Sequence, residues 1–222
     1  PPCPKKIWAA SSLLLELVNE VLDMGKLESG EVVLESVPFD LPELMHEITD
    51  VLEKQAAERG IVLHREYGKL PHPRLVGSPL HVKRLLMNVL SNAIKYNRDK
   101  GRVMLDCFEL SCTGDKVQIC FVCADTGIGM SEEFQKRMFE PFTQENAGAR
   151  SVYGGTGLGM SITKSLVDKM GGTIGVESRQ GVGTTYTITL PFVIDSTEAA
   201  EPEQQQTDLA VLQGRRVLLA ED

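Results

Sequence analysis

The first sign of chemistry in this chain is a pair of asparagines, Asn88 and Asn92, in the segment NVLSNAIKY. The segment is predicted to be helical, and residues four positions apart project from one face of a helix. An amide oxygen is a hard ligand suited to Mg²⁺, which shares phosphate oxygens with a nucleotide. Lys95 lies one turn beyond Asn92 and could add positive charge. Taken alone, the segment is better interpreted as a polar helix face in water.

A second cluster, DTGIG, follows a predicted strand and begins at Asp125. Its two glycines, Gly127 and Gly129, allow tight turns and the close approach of a ligand to the backbone. The carboxylate of Asp125 could accept hydrogen bonds from an exocyclic amine such as that of adenine. By itself this pattern is weak, since Asp and Gly occur in many turns.

A third cluster, GGTGLG at 154–159, opens a predicted helix. Backbone N–H groups at a helix N-terminus, with little side-chain bulk around them, can bind phosphate. A dinucleotide site is disfavoured because no βαβ unit or downstream ribose-binding acid accompanies the glycines, and no Gly-Lys-Ser/Thr follows to make a P-loop. The fourth cluster, GVGT at 181–184, is in isolation a hairpin turn.

The surrounding pattern predicts the elements that must position these clusters. An N-terminal helix ending near Ser29-Gly30 carries an apolar face suited to a helical bundle, with packing on its own domain as the alternative. An extended segment at 31–37 is expected to close at Pro38. Further helices are predicted at 40–58, 80–96 and 158–170, and strands at 61–66, 74–76, 102–109, 116–123, 173–178 and 184–190. This mixture predicts an α+β fold with one sheet backed by helices.

Composition narrows the classes of function. The formal charge of −8 over 222 residues disfavours nucleic acid as a partner, because phosphate-backbone binding depends on clustered Lys and Arg. The sequence shows no signal peptide and no apolar run long enough to cross a bilayer, so we expect a cytoplasmic chain whose parent could be membrane-anchored. Cys120 and Cys123 form a C-x-x-C within a predicted strand, where residues three apart face opposite sides and do not readily share a metal.

In this order, the four clusters resemble the N, G1, G2 and G3 boxes of the histidine-kinase catalytic domain. The segment FEPF at 139–142 resembles the F box of the same family. The resemblance spans about residues 31–192 and implies a Bergerat-type α/β sandwich, a mixed sheet backed by helices, preceded here by one bundle helix. It also implies ATP and Mg²⁺ as cofactors.

The resemblance implies a role for each cluster. Asn88 would hold Mg²⁺, Asn92 and Lys95 would approach the phosphates, and Asp125 would bind adenine. Residues 143–153 would form a mobile lid in which Arg150 contacts phosphate. The complete set of ATP-binding residues implied in this way is Asn88, Asn92, Lys95, Tyr96, Asp125, Gly127, Gly129, Met130, Phe142, Arg150, Gly155, Thr156, Gly157, Leu158, Gly159 and Thr184.

Position 88 separates this family from its hydrolytic relatives. Gyrase, mismatch-repair and chaperone ATPases of the same fold are similar to one another in carrying a Glu four residues before the key Asn, as general base for water. Here that position is Asn88, four residues before Asn92, and an amide cannot take a proton at neutral pH. The sequence therefore favours a protein histidine kinase that transfers phosphate to a protein. A hydrolysing ATPase and a nucleotide-free pseudokinase are the alternatives.

The flanks extend the resemblance. Residues 1–30 are similar to the second helix of a dimerisation and phosphotransfer domain, 31–193 to the ATP-binding catalytic domain, and 194–213 form a linker. Residues 214–222 resemble the first strand of a receiver domain, and the segment VLLAED at 217–222 carries the resemblance. A receiver domain in the same chain implies a hybrid kinase. The implied partners are a second copy in the full-length parent, a histidine phosphotransfer helix, and a receiver domain or response regulator.

The phosphoacceptor histidine of the family has no match among the four histidines. His46 is followed by an acid, but no Arg or Pro follows in register, and its helix occupies the place of the first catalytic-domain helix. We therefore expect this chain to bind Mg-ATP without autophosphorylating by itself.

Overall fold

The computed structural model describes residues 4–145 and 156–197 and contains a seven-stranded sheet with helices packed on it. The helices are α1 (Pro4–Glu28), α2 (Leu41–Glu58), α3 (Pro79–Lys95), α4 (Glu132–Arg137) and α5 (Gly159–Lys169). The strands are β1 (Val37–Asp40), β2 (Val62–Tyr67), β3 (Arg74–Gly77), β4 (Arg102–Thr113), β5 (Lys116–Asp125), β6 (Thr173–Arg179) and β7 (Gly183–Ile194). The predicted α+β class, with a mixed sheet backed by helices, is confirmed.

The sheet is organised around β7. The strand order is β1-β3-β7-β5-β4-β2, and β6 also pairs with β7. β7 borders β5 along one side and borders β6 and then β3 along the other. The pairing of β2 with β4 is parallel and every other pairing of these strands is antiparallel. The register places Asp125, at the end of β5, opposite Thr184 at the start of β7.

The core lies between the sheet and the apolar faces of α2, α3 and α5. Asp40 caps α2, because its carboxylate accepts a 2.8 Å hydrogen bond from the N–H of Glu43. Leu85 and Val89 of α3 are fully buried, as is Ile119 of β5. Burial of this stripe fixes the rotation of α3, so that Asn88 and Asn92, which lie at the border of the stripe, face α5.

Two strands include prolines that the sequence analysis placed outside or at the end of strands. Pro38 lies within β1, which is an edge strand, so its missing N–H removes no central ladder bond. Pro191 lies within β7, which the sequence predicted to end at Leu190, and it pairs with Gln118 of β5. Pro191 is tolerated because it falls where the other neighbour of β7 changes from β6 to β3.

The N-terminal helix docks on the remainder of the chain through its last turns. Met24 and Leu27 of α1 pack against a second hydrophobic cluster formed by Leu158, Ile162 and Leu166. Asp23 of α1 makes an ion pair with Arg84 of α3. Further toward the N-terminus, the apolar residues of α1 are exposed to solvent: Leu14, Leu15, Val18, Val21 and Leu22. Across the described residues, no helix combines the length and apolar character that a membrane span requires.

Candidate functional site

A cavity of about 850 Å³ opens between α3, the start of α5 and the end of β5. This volume is within the range of small-molecule sites, about 300–1,000 Å³. The predicted site residues that line it are Asn88, Asn92, Lys95, Tyr96, Asp125, Gly129, Met130, Thr156, Gly157, Gly159 and Thr184. Residues far apart in the sequence thus meet in one concave site, with an α5 end and a β5 end.

At the α5 end, two asparagine amides of α3 face the first turn of α5. The amide nitrogen of Asn88 donates to the hydroxyl of Thr163 at 2.7 Å, and that of Asn92 donates to the sulfur of Met160 at 3.3 Å. Because the nitrogen of Asn88 is used in this way, its carbonyl oxygen is the atom that remains for a cation or a donor.

The glycines of the third cluster allow this close approach of α5 to α3. A Cβ at Gly159 would lie 2.5 Å from the Asn88 carbonyl oxygen, and one at Gly157 would lie 2.9 Å from the Phe142 carbonyl carbon. Gly157 also has a φ of +77°, which favours glycine. The first turn of α5 therefore brings backbone N–H groups next to the asparagines with no side chain between them, a geometry suited to an anion beside a cation.

At the β5 end, Asp125 is the central acidic group. The backbone N–H groups of Gly127, at 2.7 Å, and of Thr184 donate to its carboxylate. Burial nevertheless raises the pKa of Asp125 to about 6, because desolvation outweighs these two hydrogen bonds. The carboxylate is ionised at neutral pH, desolvated, and suited to accept hydrogen bonds from a neutral donor such as an amine.

The loop after Asp125 is held by backbone hydrogen bonds on both sides. The N–H of Ile128 donates to the carbonyl of Tyr96 at 3.0 Å, and its carbonyl accepts from Gly181 at 2.7 Å. The N–H of Met130 donates to the hydroxyl of Ser178 at 2.9 Å. Gly129 has a φ of +66°, and a Cβ there would overlap the carbonyl of Arg179. The wall of the β5 end is therefore backbone packed on backbone.

Arg59, which the sequence analysis missed, fixes the end of α3 beside this wall. Its guanidinium donates to the carbonyls of Ile94 and Lys95 at 2.6 and 2.8 Å and to that of Asn97 at 2.8 Å. Ile94 and Lys95 belong to the last turn of α3, where a helix leaves its carbonyls short of partners, and Asn97 follows the helix. Arg59 also lines the cavity, so it is a positioning residue for Lys95 and Tyr96. Its contacts span 35 residues or more, which no local pattern shows.

Glu20 of α1 is a second lining residue that was not predicted. The hydroxyl of Thr156 donates to its carboxylate, and the same Thr156 oxygen accepts from the N–H of Leu158 at 3.2 Å. The N-terminal helix therefore contacts the turn that starts α5. The amphipathic pattern of α1 indicated a buried face but not this polar contact.

Three of the predicted site residues do not line the cavity. Leu158 is fully buried and packs with Ile162 in the second hydrophobic cluster, because the residue that precedes α5 faces α1. Gly127 packs against the backbone of Tyr96, where a Cβ would lie 2.5 Å from the carbonyl oxygen. Phe142 is 60% exposed with a φ of +60° and does not line the cavity. Arg150, Gly155 and most of the predicted lid lie outside the described residues.

The four histidines are all described, and none of them lines the cavity. His46 is on α2, where its Nδ1 is 2.8 Å from the carbonyl oxygen of Pro42. His81 is buried beside the hydroxyl of Ser78 at 2.6 Å. His64 is exposed on β2, and His72 pairs with Glu109. The cysteines of the C-x-x-C, Cys120 and Cys123, are both buried in β5 with free thiols.

This sheet, these helices and the glycine-lined cavity define the Bergerat-type ATPase fold. Residues 77–194 match the family model described as histidine kinase-, DNA gyrase B- and HSP90-like ATPase. The chain belongs to this family. The cavity, with polar groups at both ends, has a volume that suits the nucleotide bound by an ATPase family.

Within the family, the chain is similar to sensor histidine kinases. It is 36% identical over 184 residues to sensor histidine kinase GacS of Pseudomonas protegens, covering 83% of this chain and 20% of that protein. It is 33% identical over 202 residues to hybrid signal transduction histidine kinase A of Dictyostelium discoideum, covering 88% of this chain and 9% of that protein. The chain thus spans about a fifth or less of the length of these two relatives.

Among solved structures, the chain is similar to full-length ShkA in complex with AMPPNP. The TM-score is 0.69 and the sequence identity 30%, covering 82% of this chain and 36% of that chain. The two sequence relatives are thus named as histidine kinases, and the ShkA structure holds AMPPNP, an analogue of ATP.

Proposed function

We propose that this chain is the ATP-binding catalytic part of a sensor histidine kinase, which transfers the γ-phosphate of Mg-ATP to a histidine. The observation that carries the proposal is the pairing of Asn88 with the glycine-rich start of α5. It puts an amide oxygen, suited to a hard cation, beside backbone N–H groups suited to phosphate. The 30% identity to the AMPPNP-bound ShkA chain supports the same assignment.

The residues fit Mg-ATP along the whole cavity. Asp125 would accept the adenine amine at the β5 end, with Gly129, Met130 and Thr184 forming the adjoining wall. Asn92 and Lys95 would approach the phosphates. At the α5 end, Gly157, Gly159 and the first turn of α5 would surround the phosphates, and Asn88 would hold Mg²⁺. Bound Mg²⁺ would supply charge neutralisation at the transferring phosphoryl group.

Asn88 supports phosphate transfer to a protein and disfavours hydrolysis. A water nucleophile needs a base within hydrogen-bond reach, and an amide cannot serve as one. The Asn88 nitrogen is also held by Thr163 at 2.7 Å, which leaves no freedom for another role. A gyrase-like or chaperone-like hydrolysing ATPase is therefore the weaker alternative.

The phosphoacceptor would come from another helix. None of the four histidines lines the cavity, so transfer within the described residues would need a large rearrangement. We propose that α1 corresponds to the second helix of a dimerisation and phosphotransfer domain. Its exposed apolar stripe, which includes Leu14, Val18 and Leu22, suits pairing with further helices in a homodimer.

We further propose that the parent is a cytoplasmically acting hybrid kinase. The segment VLLAED at 217–222 would begin a receiver domain, with 194–213 as a linker, and a receiver domain or response regulator would accept the phosphate. The similarity to a relative named as a hybrid histidine kinase supports this organisation. These segments lie almost wholly outside the described residues.

Calorimetric titration with AMPPNP, with and without Mg²⁺, tests the nucleotide assignment. We expect wild-type binding that strengthens with Mg²⁺ and that falls by about a hundredfold in Asp125→Asn, since the adenine acceptor loses its charge. Absence of binding to the folded wild type would turn the assignment toward a nucleotide-free interaction module.

The same variant reports whether a loss of binding reflects misfolding. Burial raises the pKa of Asp125 above its unfolded value of 3.8, so the folded state binds more protons than the unfolded state between that value and about pH 6. Ionised Asp125 therefore lowers stability above pH 6. We expect Asp125→Asn to melt no lower than wild type at pH 7. A lower melting temperature would show that the carboxylate serves the fold.

Acid-labile phosphate on the isolated chain after incubation with ATP would contradict the assignment of the acceptor to another helix. Steady release of inorganic phosphate would instead favour the hydrolytic alternative.

A further inference from the structure

A second side-chain cluster with ligand chemistry lies on the sheet away from the cavity. His72, Glu109 and Cys112 bring an imidazole nitrogen, a carboxylate oxygen and a thiol sulfur within 4.8 Å of one another. Among the side chains that the structure describes, no other group of three such ligands occurs. We propose that these three residues form a binding site for Zn²⁺ or a similar borderline transition-metal ion.

An irregularity in β4 creates the cluster. Residues three apart on a regular strand face opposite sides, so Glu109 and Cys112 would normally be separated by the sheet. The register with β5 shifts between Glu109 and Ser111, so Leu110 is an extra residue in β4. A β-bulge of this kind reverses the alternation and places both side chains on one side.

The connection between β2 and β3 supplies the third ligand. This connection continues along the edge of β4 after β2 ends, because the N–H of Gly68 donates to the Cys107 carbonyl at 2.9 Å and that of Glu109 donates to the Lys69 carbonyl at 3.1 Å. Gly68 is close enough that a Cβ would lie 2.7 Å from Cβ of Phe108. His72 is therefore held over β4 by backbone contacts that are independent of its own ring.

The pair of His72 and Glu109 is already arranged as metal ligands are. Nδ1 of His72 is 3.0 Å from Oε2 of Glu109, and the side chain of Glu109 is only 9% exposed. Adjacent ligands of a tetrahedral zinc ion are separated by roughly 3–4 Å, given metal–ligand bonds of about 2.0–2.3 Å. The ion would need only small movements of the more exposed His72 and Cys112 side chains.

The ligand set selects the class of ion. Thiolate and imidazole ligands favour Zn²⁺ and its neighbours over Mg²⁺ or Ca²⁺, which prefer all-oxygen sites. Binding would remove the proton from the Cys112 thiol and any proton shared by His72 and Glu109, so uptake of the metal releases protons. With three protein ligands, a water molecule would complete the tetrahedron.

The cluster is separate from the nucleotide cavity. Val103 of β4 pairs with Asp125, and Glu109 is six residues further along the same strand. At about 3.3 Å per residue, the two sites are roughly 20 Å apart. None of the three ligands lines the cavity, so the proposal does not depend on the function of the cavity.

Zn²⁺ titration of the full chain by calorimetry, with excess Mg²⁺ and a non-chelating reductant, tests the site, and Co²⁺ serves as the spectroscopic probe. We expect one strong site, a sulfur-to-cobalt charge-transfer band in the near ultraviolet, and tetrahedral bands in the visible. Cys112→Ser should abolish the charge-transfer band, and His72→Ala should weaken Zn²⁺ binding by more than about tenfold. AMPPNP binding should be unchanged in both variants.

His64→Ala is the matched control, since His64 is an exposed histidine on the neighbouring β2. We expect it to bind Zn²⁺ as the wild type does. Undiminished binding in Cys112→Ser, or equal losses in His64→Ala and His72→Ala, would overturn the proposal. Cys112 is exposed, so its substitution is expected to leave the fold intact, and the melting temperature without metal checks this.

Discussion

The two ends of the cavity are built in different ways. At the β5 end, the wall is backbone hydrogen-bonded to backbone, as between Ile128, Tyr96 and Gly181. At the α5 end, the contacts are between side chains, such as Asn88 with Thr163, or reach out to α1, such as Thr156 with Glu20. Backbone hydrogen bonds on both sides of a loop restrict its movement, whereas side-chain contacts between helices change with small helix movements. The β5 end is thus preorganised, and the α5 end depends on the position of its neighbours.

Among the substitutions that test this difference between the two ends, Gly129→Ala at the β5 end should have the largest effect. A Cβ there would overlap the carbonyl of Arg179 in a backbone of positive φ. We expect a loss of about 2–4 kcal/mol in the free energy of unfolding and no measurable nucleotide binding. Denaturant titration and calorimetry measure the two effects.

Gly114→Ala is the control, since Gly114 has a similar φ of +64° with no atom within 4 Å of the added Cβ. We expect this substitution to lower the free energy of unfolding by only about 1 kcal/mol and to leave nucleotide binding unchanged. Equal costs for the two substitutions would show that the wall at the β5 end is not rigid.

Gly159→Ala addresses the α5 end. The added Cβ would lie 2.5 Å from the Asn88 carbonyl oxygen and would displace the amide, while the helix itself tolerates alanine. We expect binding of Mg-AMPPNP to weaken by about 30-fold, near 2 kcal/mol, with adenosine binding unchanged.

Gly25→Ala in α1, where nothing lies within 4 Å of the added Cβ, is the helical control and should not alter binding. If Gly159→Ala weakened adenosine binding as much as it weakened Mg-AMPPNP binding, the two ends would not be independent.

Arg59→Lys tests how the two ends are joined through α3. Lysine lacks the fork that reaches the carbonyls of both Ile94 and Asn97, so we expect a loss of about 1–2 kcal/mol in stability. Chemical denaturation of Arg65→Lys provides the comparison, because Arg65 pairs with the exposed Asp50. We expect this substitution to lower the free energy of unfolding by under about 0.5 kcal/mol. Similar losses of unfolding free energy in the two variants would contradict a positioning role for Arg59.

The smallest expected effect is the pH dependence of binding at the β5 end. With a pKa of about 6, Asp125 is ionised at neutral pH and protonated as the pH falls through 6, which would weaken it as an acceptor for the amine of adenine. Affinity should fall by about tenfold between pH 7 and pH 5. Protonation of the phosphates of the nucleotide also changes affinity with pH. Because Asp125→Asn lacks the titrating carboxyl group, subtracting its profile of affinity against pH removes that contribution. Parallel profiles would place the pH-sensitive group elsewhere.

The sequence predicted well what depends on local pattern. The boundaries of α3 and α5 agree to within about one residue, and all four glycine and asparagine clusters contribute residues to one cavity. Arg59 could not be predicted, because its contacts join a helix end to carbonyls 35 or more residues away. The bulge at Leu110 carries no glycine, so no turn signal marks it. The six-residue α4 is too short for a clear period.

The central place of β7 also has a consequence for how the chain folds. β7 is the last strand of the sheet in chain order, yet β3, β5 and β6 all pair with it. A nascent chain that ends before Gly183 can form its helices and the hairpin of β4 and β5. One edge of β5 then has no partner strand, and the pair of β1 and β3 cannot join the sheet without β7. Such an intermediate exposes pairing edges that invite aggregation until synthesis passes Ile194. Completion of the nucleotide cavity, which needs Thr184 opposite Asp125, therefore coincides with closure of the whole sheet.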